Sequence, residues 1–231
     1  MPAFELAARQ GADAFELDVR LSADGVPMVL HDATLDRTTD GRGSLGALSL
    51  GELQPVDAGA RFSPDGGRSY PFRGAGVRIP TLAEVLRGFP EVPVMVEVKE
   101  PGAQEAVRRV ILEEGAAERC VLASEHHAAL QVFREPPFAV AASGGEIGTL
   151  YRAVLLRRVP ETVQYRLLSV PERHRGLRVP TRGFVAAARR LGCPVHVWTI
   201  NDPAVAQRLW ALGVCGIVTN LPDRARSWVL G

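Results

Sequence analysis

Four charged side chains occupy matching positions near the ends of two predicted strands. Glu16 and Asp18 are alternate residues in one apolar run, and Glu97 and Lys99 repeat this arrangement in the next barrel strand. Alternate residues of a strand point to the same face. If both strands belong to one parallel barrel, their carboxyl ends meet at its mouth, where barrel enzymes place their sites. We therefore expect these four side chains to converge.

The three acidic residues of this set, Glu16, Asp18 and Glu97, would repel one another in one place. A hard divalent cation that prefers oxygen ligands, Mg²⁺ or Ca²⁺, would neutralise them. Alternatively, the carboxylates pair with Lys99 or with arginines on the rim, and the spacing alone does not decide. Lys99 is the only lysine among 27 basic residues, and its compact ammonium is not equivalent to a planar guanidinium.

His31 is the predicted acid or base of the site. Asp24-Gly25 is a strong signal for a two-residue hairpin turn. Such a turn would place His31 opposite Asp18, with Cβ atoms about 5 Å apart. Histidine titrates near neutral pH and can move protons in either direction. A histidine at a strand end can also be purely structural, but the expected pairing favours the catalytic interpretation.

Apolar runs of strand length alternate with helical patterns along the whole chain. The strand-like runs are Ala14–Leu21, Val94–Lys99, Cys120–Ser124, Phe138–Ala142, Val163–Leu168, Val195–Thr199 and Gly216–Asn220. The helix candidates are Thr81–Arg87, Ala103–Glu114, His127–Arg134, Ile147–Arg157, Thr181–Leu191, Pro203–Leu212 and Asp223–Val229. Val/Ile-rich strands separated by helices are typical of a parallel sheet covered by helices.

The alternation predicts an α/β protein, a (β/α)8 TIM barrel forming a single domain over residues 1–231. A closed barrel of this type has eight strands, whereas seven are predicted and the chain opens with a helical pattern. The first strand is therefore expected to be missing. A segment rich in Gly, Ser, Asp and Arg, residues 33–76, forms an insertion after the second barrel strand. Long irregular segments in compact domains are usually functional, and we expect this one to cross the barrel mouth.

Composition narrows the possible partners and the location. With 46% hydrophobic residues, 23% charged residues and a net charge of +1, the chain gives no reason to expect nucleic acid or an anionic membrane as partner. No apolar run approaches the roughly 20 residues that cross a bilayer. The three cysteines are widely spaced and odd in number, which favours reduced thiols. We predict a cytoplasmic protein, although a segment upstream of Met1 could carry an export signal.

Eight motifs in order resemble the glycerophosphodiester phosphodiesterase family, whose fold is the TIM barrel of phospholipase C-like phosphodiesterases. They are Phe15–Val19, Asp24–Asp32, Leu35–Gly43, Leu48–Leu53, Ile79–Leu86, Val96–Lys99, Val197–Asn201 and Gly216–Pro222. Each motif is weak alone, but together they span nearly the whole chain and are specific.

The resemblance implies a role for each matching residue. Glu16, Asp18 and Glu97 would hold the divalent cation, and His31 would be one of two catalytic histidines. Lys99 would contact the phosphate, and Trp198 would form a wall of the substrate cleft. The implied activity is metal-dependent hydrolysis of small glycerophosphodiesters to glycerol 3-phosphate and an alcohol.

The chain also departs from the family pattern. The family opens with a strand ending in His-Arg-Gly, followed by Pro-Glu-Asn-Thr, and neither motif is present here. Two interpretations stay open: a phosphodiesterase whose start is set too late, or an impaired or non-enzymatic relative that binds a phosphoester or metal. A different metal-using barrel enzyme, such as an isomerase or aldolase, is disfavoured by the ordered motifs. As written, the chain is expected to be a poor catalyst.

The other histidines are not expected to replace the second catalytic one. His126 and His127 begin a predicted helix and are expected to be solvated, although they could lie at the mouth. His196 is expected to be a packed core residue, and His174 a loop residue among arginines.

Overall fold

The computed structural model describes residues 1–229 and shows parallel strands alternating with helices. The final two residues of the predicted domain, 230 and 231, lie outside this range. The α-helices are α1 Pro2–Arg9, α2 Leu50–Leu53, α3 Leu82–Gly88, α4 Gln104–Glu113, α5 Gly144–Leu155, α6 Arg182–Arg190, α7 Pro203–Ala211 and α8 Pro222–Val229. Short 3₁₀ helices span Leu45–Ala47, Ala117–Arg119 and His127–Phe133. The strands are β1 Phe15–Leu21, β2 Pro27–Val29, β3 Val94–Val98, β4 Cys120–Ala123, β5 Ala139–Val140, β6 Leu168–Pro171, β7 Arg173–His174, β8 Leu177–Arg178, β9 Val195–Trp198 and β10 Gly216–Ile217.

The strands follow one another around an open barrel. Five form a sheet in the order β2-β1-β3-β4-β5, and three form a second sheet in the order β10-β9-β6. A parallel bridge between Ala141 and Leu167 connects the two. Seven strands (β1, β3, β4, β5, β6, β9 and β10) run parallel, as predicted. In the described part of the chain β10 does not pair with β1, so the TIM-barrel arrangement is open at this position.

The two strands that carry the acidic residues bury every second side chain. In β1 the buried residues are Phe15, Leu17 and Val19, and in β3 they are Val94, Val96 and Val98. Each fully buried side chain of this kind contributes about 1.5–3 kcal/mol. A slip of one residue would exchange the two faces and bury the carboxylates instead. The apolar alternation therefore sets which way the acidic side chains point.

Capping residues set where two helices of the barrel begin. The Thr81 hydroxyl accepts a hydrogen bond from the backbone of Glu84, and the Glu84 carboxylate accepts one from the Thr81 backbone. Ser143 and Glu146 form the same reciprocal box at the start of α5. Caps of this kind stabilise a helix by about 1 kcal/mol. Helix α5 consequently begins at Gly144, three residues before the prediction.

The predicted strand over residues 163–168 is wrong in its bounds. Strand β6 begins at Leu168, where β9 supplies a partner through the Leu168–Val195 pairing. An apolar run shows where a strand is possible, but only a neighbour with free backbone groups determines where it forms. A second departure follows directly, because β7 and β8 form an unpredicted antiparallel hairpin.

The insertion over residues 33–76 packs beside β2, and from that side Thr38 and Ala58 line a smaller pocket together with Glu16, Asp18 and His31. Leu35, Leu45 and Leu53 are buried and form a small separate core with Met28 and Ile79. Among the described residues, none between 33 and 76 lines the large cleft at the mouth.

A helix that crosses a bilayer needs about 20 consecutive, mostly apolar residues. Within residues 1–229, no helix combines enough length with enough apolar character to span a membrane.

Candidate active site

Three carboxylates converge where β1 and β3 end. The parallel register places Asp18 beside Glu97, and Glu16 projects from the same face of β1 two residues earlier. Glu16, Asp18 and Glu97 each offer an oxygen atom, and all three oxygens lie within 4.8 Å of one another. Lys99 Nζ donates a hydrogen bond of 2.9 Å to Glu97 Oε1 and lies 3.4 Å from Asp18 Oδ1. The structure thus brings together the four side chains that the spacing singled out.

The cluster carries more negative than positive charge, and this shifts the pKa values of its members. Burial raises the pKa of Glu16 to about 7, and the charges of Asp18 and Glu97 add to this while Lys99 opposes it. Burial alone would lower the pKa of Lys99, but its hydrogen bond to Glu97 and the two neighbouring carboxylates leave it raised. Three carboxylates and one ammonium leave two negative charges when all are ionised.

This donor set fits a hard divalent cation. Mg²⁺ and Ca²⁺ bind carboxylate oxygens at about 2.0–2.6 Å, so one ion between the three oxygens could reach all of them. Both possibilities raised by the sequence have support, because Lys99 pairs with Asp18 and Glu97. That pairing does not extend to Glu16, since no basic side chain of residues 1–229 lies within ion-pair distance of it. A divalent cation would neutralise the two negative charges that remain after Lys99 is counted.

The hairpin before His31 has a different turn from the one predicted. Ser22 N donates to Val26 O at 3.0 Å, which closes a three-residue turn, and Gly25 takes the left-handed conformation at φ 78°. A three-residue loop with glycine at this position is a common hairpin type. The register is therefore shifted by one residue, and Leu30 rather than His31 lies opposite Asp18, with Leu30 N donating to Asp18 O at 3.0 Å.

His31 nevertheless lies at the same cleft as the acidic cluster. Its Nδ1 is 2.7 Å from Asp32 Oδ1, and Arg37 Nη2 donates to the same oxygen at 2.9 Å. Hydrogen bonds from Arg37 and His31 hold the pKa of Asp32 well below its usual range. An ionised carboxylate only accepts hydrogen bonds, so Nδ1 carries a proton and Nε2 is left to exchange one.

Two residues around His31 had no assigned role in the sequence analysis. Arg20 Nε donates to the backbone oxygen of His31 at 2.9 Å, and Asp32 orients its ring. Glu100 in turn accepts hydrogen bonds from Leu21 N and from Arg20. Because Asp32 directly follows His31 in the sequence, its role in orienting the ring could have been predicted. No local pattern in the sequence indicated that Arg20 contacts His31.

The cleft at the mouth has a volume of ≈ 780 Å³. Trp198 lies at the end of β9 with 42% of its surface exposed. All the residues selected from the sequence line this cleft, namely Glu16, Asp18, His31, Glu97, Lys99 and Trp198. Their roles in binding and catalysis stay predictions.

The remaining histidines are distributed largely as expected. His126, His127 and His196 do not line the cleft, and burial lowers the pKa of His196. His127 Nδ1 instead lies 3.2 Å from Ser143 Oγ. His174 is the exception, because it belongs to the β7–β8 hairpin rather than to a loop, and it lines the cleft.

Known proteins resemble this chain in sequence or in fold. A glycerophosphodiester phosphodiesterase of Caldanaerobacter subterraneus is 32% identical over 228 residues, covering 96% of this chain and 87% of the relative. The glycerophosphoryl diester phosphodiesterase domain of an uncharacterised Mycobacterium tuberculosis protein has a TM-score of 0.85 at 20% identity and covers 98% of this chain and 91% of its own. An Oleispira antarctica phosphodiesterase in complex with the product sn-glycerol-3-phosphate has a TM-score of 0.76 at 25% identity, covering 98% and 88%. Since the model of the glycerophosphoryl diester phosphodiesterase family also matches residues 1–224, the chain belongs to that family.

Proposed function

We propose that this protein is a divalent-metal-dependent phosphodiesterase that hydrolyses glycerophosphodiesters to glycerol 3-phosphate and an alcohol. The observation that carries the proposal is the convergence of Glu16, Asp18 and Glu97 in one cleft with Lys99 and His31. Relatives named glycerophosphodiester phosphodiesterases, and the neighbour with bound glycerol 3-phosphate, support the choice of substrate.

Each group has a distinct part in this reaction. When bound, Mg²⁺ or Ca²⁺ supplies positive charge that stabilises the oxygens of the reacting phosphate. Glu16, Asp18 and Glu97 would hold it, and Lys99 would donate to a phosphate oxygen. Nε2 of His31 would move a proton to or from an ester oxygen while Asp32 holds the ring. Trp198 would form one wall of the cleft.

The alternative is a relative that binds metal or phosphoester without turnover. One observation favours this alternative. Among the described residues, His31 and His174 are the histidines that line the cleft, and His174 forms no hydrogen bond or ion pair with the acidic cluster. Losing one of two proton-transfer groups typically lowers a rate about 10²–10⁴-fold.

One assay distinguishes the active phosphodiesterase from the non-enzymatic relative. We expect Mg²⁺- or Ca²⁺-dependent release of glycerol 3-phosphate from glycerophosphocholine, abolished by EDTA and by His31→Ala. Glu97→Gln should weaken cation binding at least tenfold, whereas Glu105→Gln, on the exposed side of α4, should not change it. Cation binding with no turnover of several glycerophosphodiesters would instead support the non-enzymatic alternative, and undiminished binding in Glu97→Gln would exclude Glu97 as a ligand.

A cytoplasmic location remains part of the proposal. Cys120, Cys193 and Cys215 are all free, which is consistent with the reducing compartment inferred from their spacing.

A further inference from the structure

Positive charge is concentrated in one segment of the chain. Residues 151–182 contain eight arginines and two acidic residues, a net charge of +6. Because the whole chain has a net charge of +1, the remaining residues together carry −5. One of the two acidic residues, Glu172, is already paired with Arg208 from outside the segment. The near-neutral balance of the whole chain therefore hides a strongly basic segment.

All eight arginines of this segment are exposed at the surface. Within residues 1–229, none of them forms an ion pair with a carboxylate. Exposed charges of one sign that lack partners within the fold raise the local potential and attract ligands of opposite charge. The guanidinium groups are thus available to an anionic partner.

Two of these arginines occupy backbone positions that normally favour glycine. Arg157, directly after the last residue capping α5, has φ 55°, and Arg175, in the turn between β7 and β8, has φ 49°. Across residues 1–229 they are the two non-glycine residues with positive φ. Glycine would be more stable in this left-handed conformation. Departures of this kind are more typical of functional surfaces than of the core.

The basic segment folds into one continuous surface. Tyr151 Oη donates to Arg178 O at 3.3 Å, which joins the β7–β8 hairpin to α5. The start of α6 packs against the last turns of α5, because a Cβ built on Gly183 would lie 3.1 Å from Val154 Cγ1. Leu155 follows Tyr151 by four residues and lies on the same side of α5. We call the end of α5, the hairpin and the start of α6, residues 151–158 and 173–182, the arginine–leucine surface.

Large apolar side chains stand among the arginines of this surface. Leu155 is 69% exposed, Leu156 is 68% exposed, and Leu177 in the hairpin is 65% exposed. Within the described part of the chain, Leu155 and Leu156 are the two most exposed large apolar side chains. Exposed leucines grouped together, unlike scattered ones, indicate a surface that contacts an apolar partner.

We propose that the arginine–leucine surface docks the protein on an anionic phospholipid bilayer. The arginines would lie at the lipid phosphates, and Leu155, Leu156 and Leu177 would enter the boundary between head groups and acyl chains. Surfaces that combine arginine with exposed leucine bind membranes in this way without crossing them. The proposal does not depend on turnover in the cleft, because docking needs none of the acidic cluster.

The leucines distinguish a bilayer from a nucleic acid as the partner. Both partners present phosphates to arginine, but surfaces that bind single-stranded nucleic acid stack bases on aromatic side chains. The most exposed apolar side chains here are leucines, which offer no stacking plane. A bilayer supplies both a phosphate layer and an apolar layer, and so it matches both features of the surface.

Vesicle flotation with the full chain tests the proposal. Each arginine near an anionic surface strengthens binding about fivefold. We therefore expect binding to vesicles of about 70% phosphatidylcholine and 30% phosphatidylglycerol to be at least tenfold stronger than to pure phosphatidylcholine. Raising NaCl from about 0.05 M to about 0.5 M should weaken binding, since salt screens the arginines. Equal binding to both vesicles, or binding to neither, would overturn the proposal.

Two pairs of variants with the same change in charge locate the contact. Arg157→Gln/Arg158→Gln should weaken binding to the anionic vesicles about tenfold or more. Arg189→Gln/Arg190→Gln removes two exposed arginines at the far end of α6 and should have little effect. Equal losses in both pairs would show that only the total charge matters, and would exclude this surface as the docking site. Thermal denaturation would verify that each variant is folded.

A second comparison tests whether the leucines enter the bilayer. Leu155→Ser/Leu156→Ser should weaken vesicle binding several-fold, whereas Leu112→Ser, which removes an exposed leucine of α4, should not. Unchanged binding of the Leu155→Ser/Leu156→Ser variant would exclude insertion and overturn the proposal. Tighter binding of a single-stranded oligonucleotide than of the vesicles, lost in Arg157→Gln/Arg158→Gln, would instead identify nucleic acid as the partner.

Discussion

Glu16 differs from its two acidic neighbours because Lys99 pairs with Asp18 and Glu97 but not with it. Burial raises its pKa from 4.5 to about 7, so the folded protein holds this proton more tightly than the unfolded chain does. By linkage, the cost of ionising Glu16 is fully present above pH 7 and disappears as the pH falls to 4.5. This cost of ionising Glu16 is on the order of 3 kcal/mol.

The prediction is that Glu16→Gln stabilises the metal-free protein at pH 8, and that the gain shrinks as the pH falls below 7. Urea denaturation in EDTA across this range would measure it, with Glu105→Gln as control. With saturating cation, Glu16→Gln should instead be less stable than the wild type, since the variant has lost a ligand of the cation. Equal stability of variant and wild type at pH 8 would show that Glu16 is not under electrostatic strain.

Asp32 is predicted to act through His31 and not on the substrate. Asp32→Asn keeps a hydrogen-bond acceptor beside Nδ1 but removes the charge that Arg37 also holds in place. We expect kcat to fall about tenfold or more with little change in KM, as for other carboxylates that orient a catalytic or metal-bound histidine. Asp13→Asn, at an almost fully exposed position, is the matched control. A change confined to KM would indicate a binding role instead.

At the scale of elements, the β1–β2 hairpin carries His31 and depends on one glycine. Gly25 has φ 78°, and a Cβ built there meets nothing within 4 Å, so any cost of alanine comes from the backbone alone. We expect Gly25→Ala to destabilise the protein by about 1 kcal/mol. Gly51→Ala, equally unobstructed but in helix α2, should be neutral or slightly stabilising. Urea denaturation of both variants would measure the difference, and equal effects would contradict a backbone origin.

The elements show what the sequence could and could not predict. The alternation of buried residues in β1 and β3 is local, so it located these strands and the direction of Glu16, Asp18 and Glu97. The length of the turn was not predictable, because Asp24-Gly25 suits both two-residue and three-residue loops. The β7–β8 hairpin was missed because its strands are only two residues long, and because arginine rarely takes positive φ.

At the scale of the whole molecule, the site connects neighbouring strands next to the opening of the barrel. A cation that binds only the folded state should therefore stabilise the entire fold, by about 2.7 kcal/mol at a concentration a hundred times its Kd. For a domain of this size that corresponds to a rise in Tm of about 5–10 °C. Thermal denaturation in EDTA, MgCl₂ and CaCl₂ would test this. Glu97→Gln should lose most of the rise, and an undiminished rise in that variant would place the cation elsewhere.

The overall fold was predictable because family motifs are spread along the chain, and the matched family and neighbouring structures confirm it. The apolar part of the lining of the cleft at the barrel mouth was not predictable. Ile147, Tyr151, Leu177 and Trp198 belong to separate elements, and no short pattern in the sequence indicates that they meet.

The position of Lys99 has a consequence for the order of events. Its ammonium rests between Asp18 and Glu97, two of the three carboxylates that would hold a cation. Two positive charges cannot share them at full strength, so an arriving ion should displace the lysine head towards the open side. There Lys99 would be available to an incoming anion, so cation binding would favour the binding of the substrate that follows it.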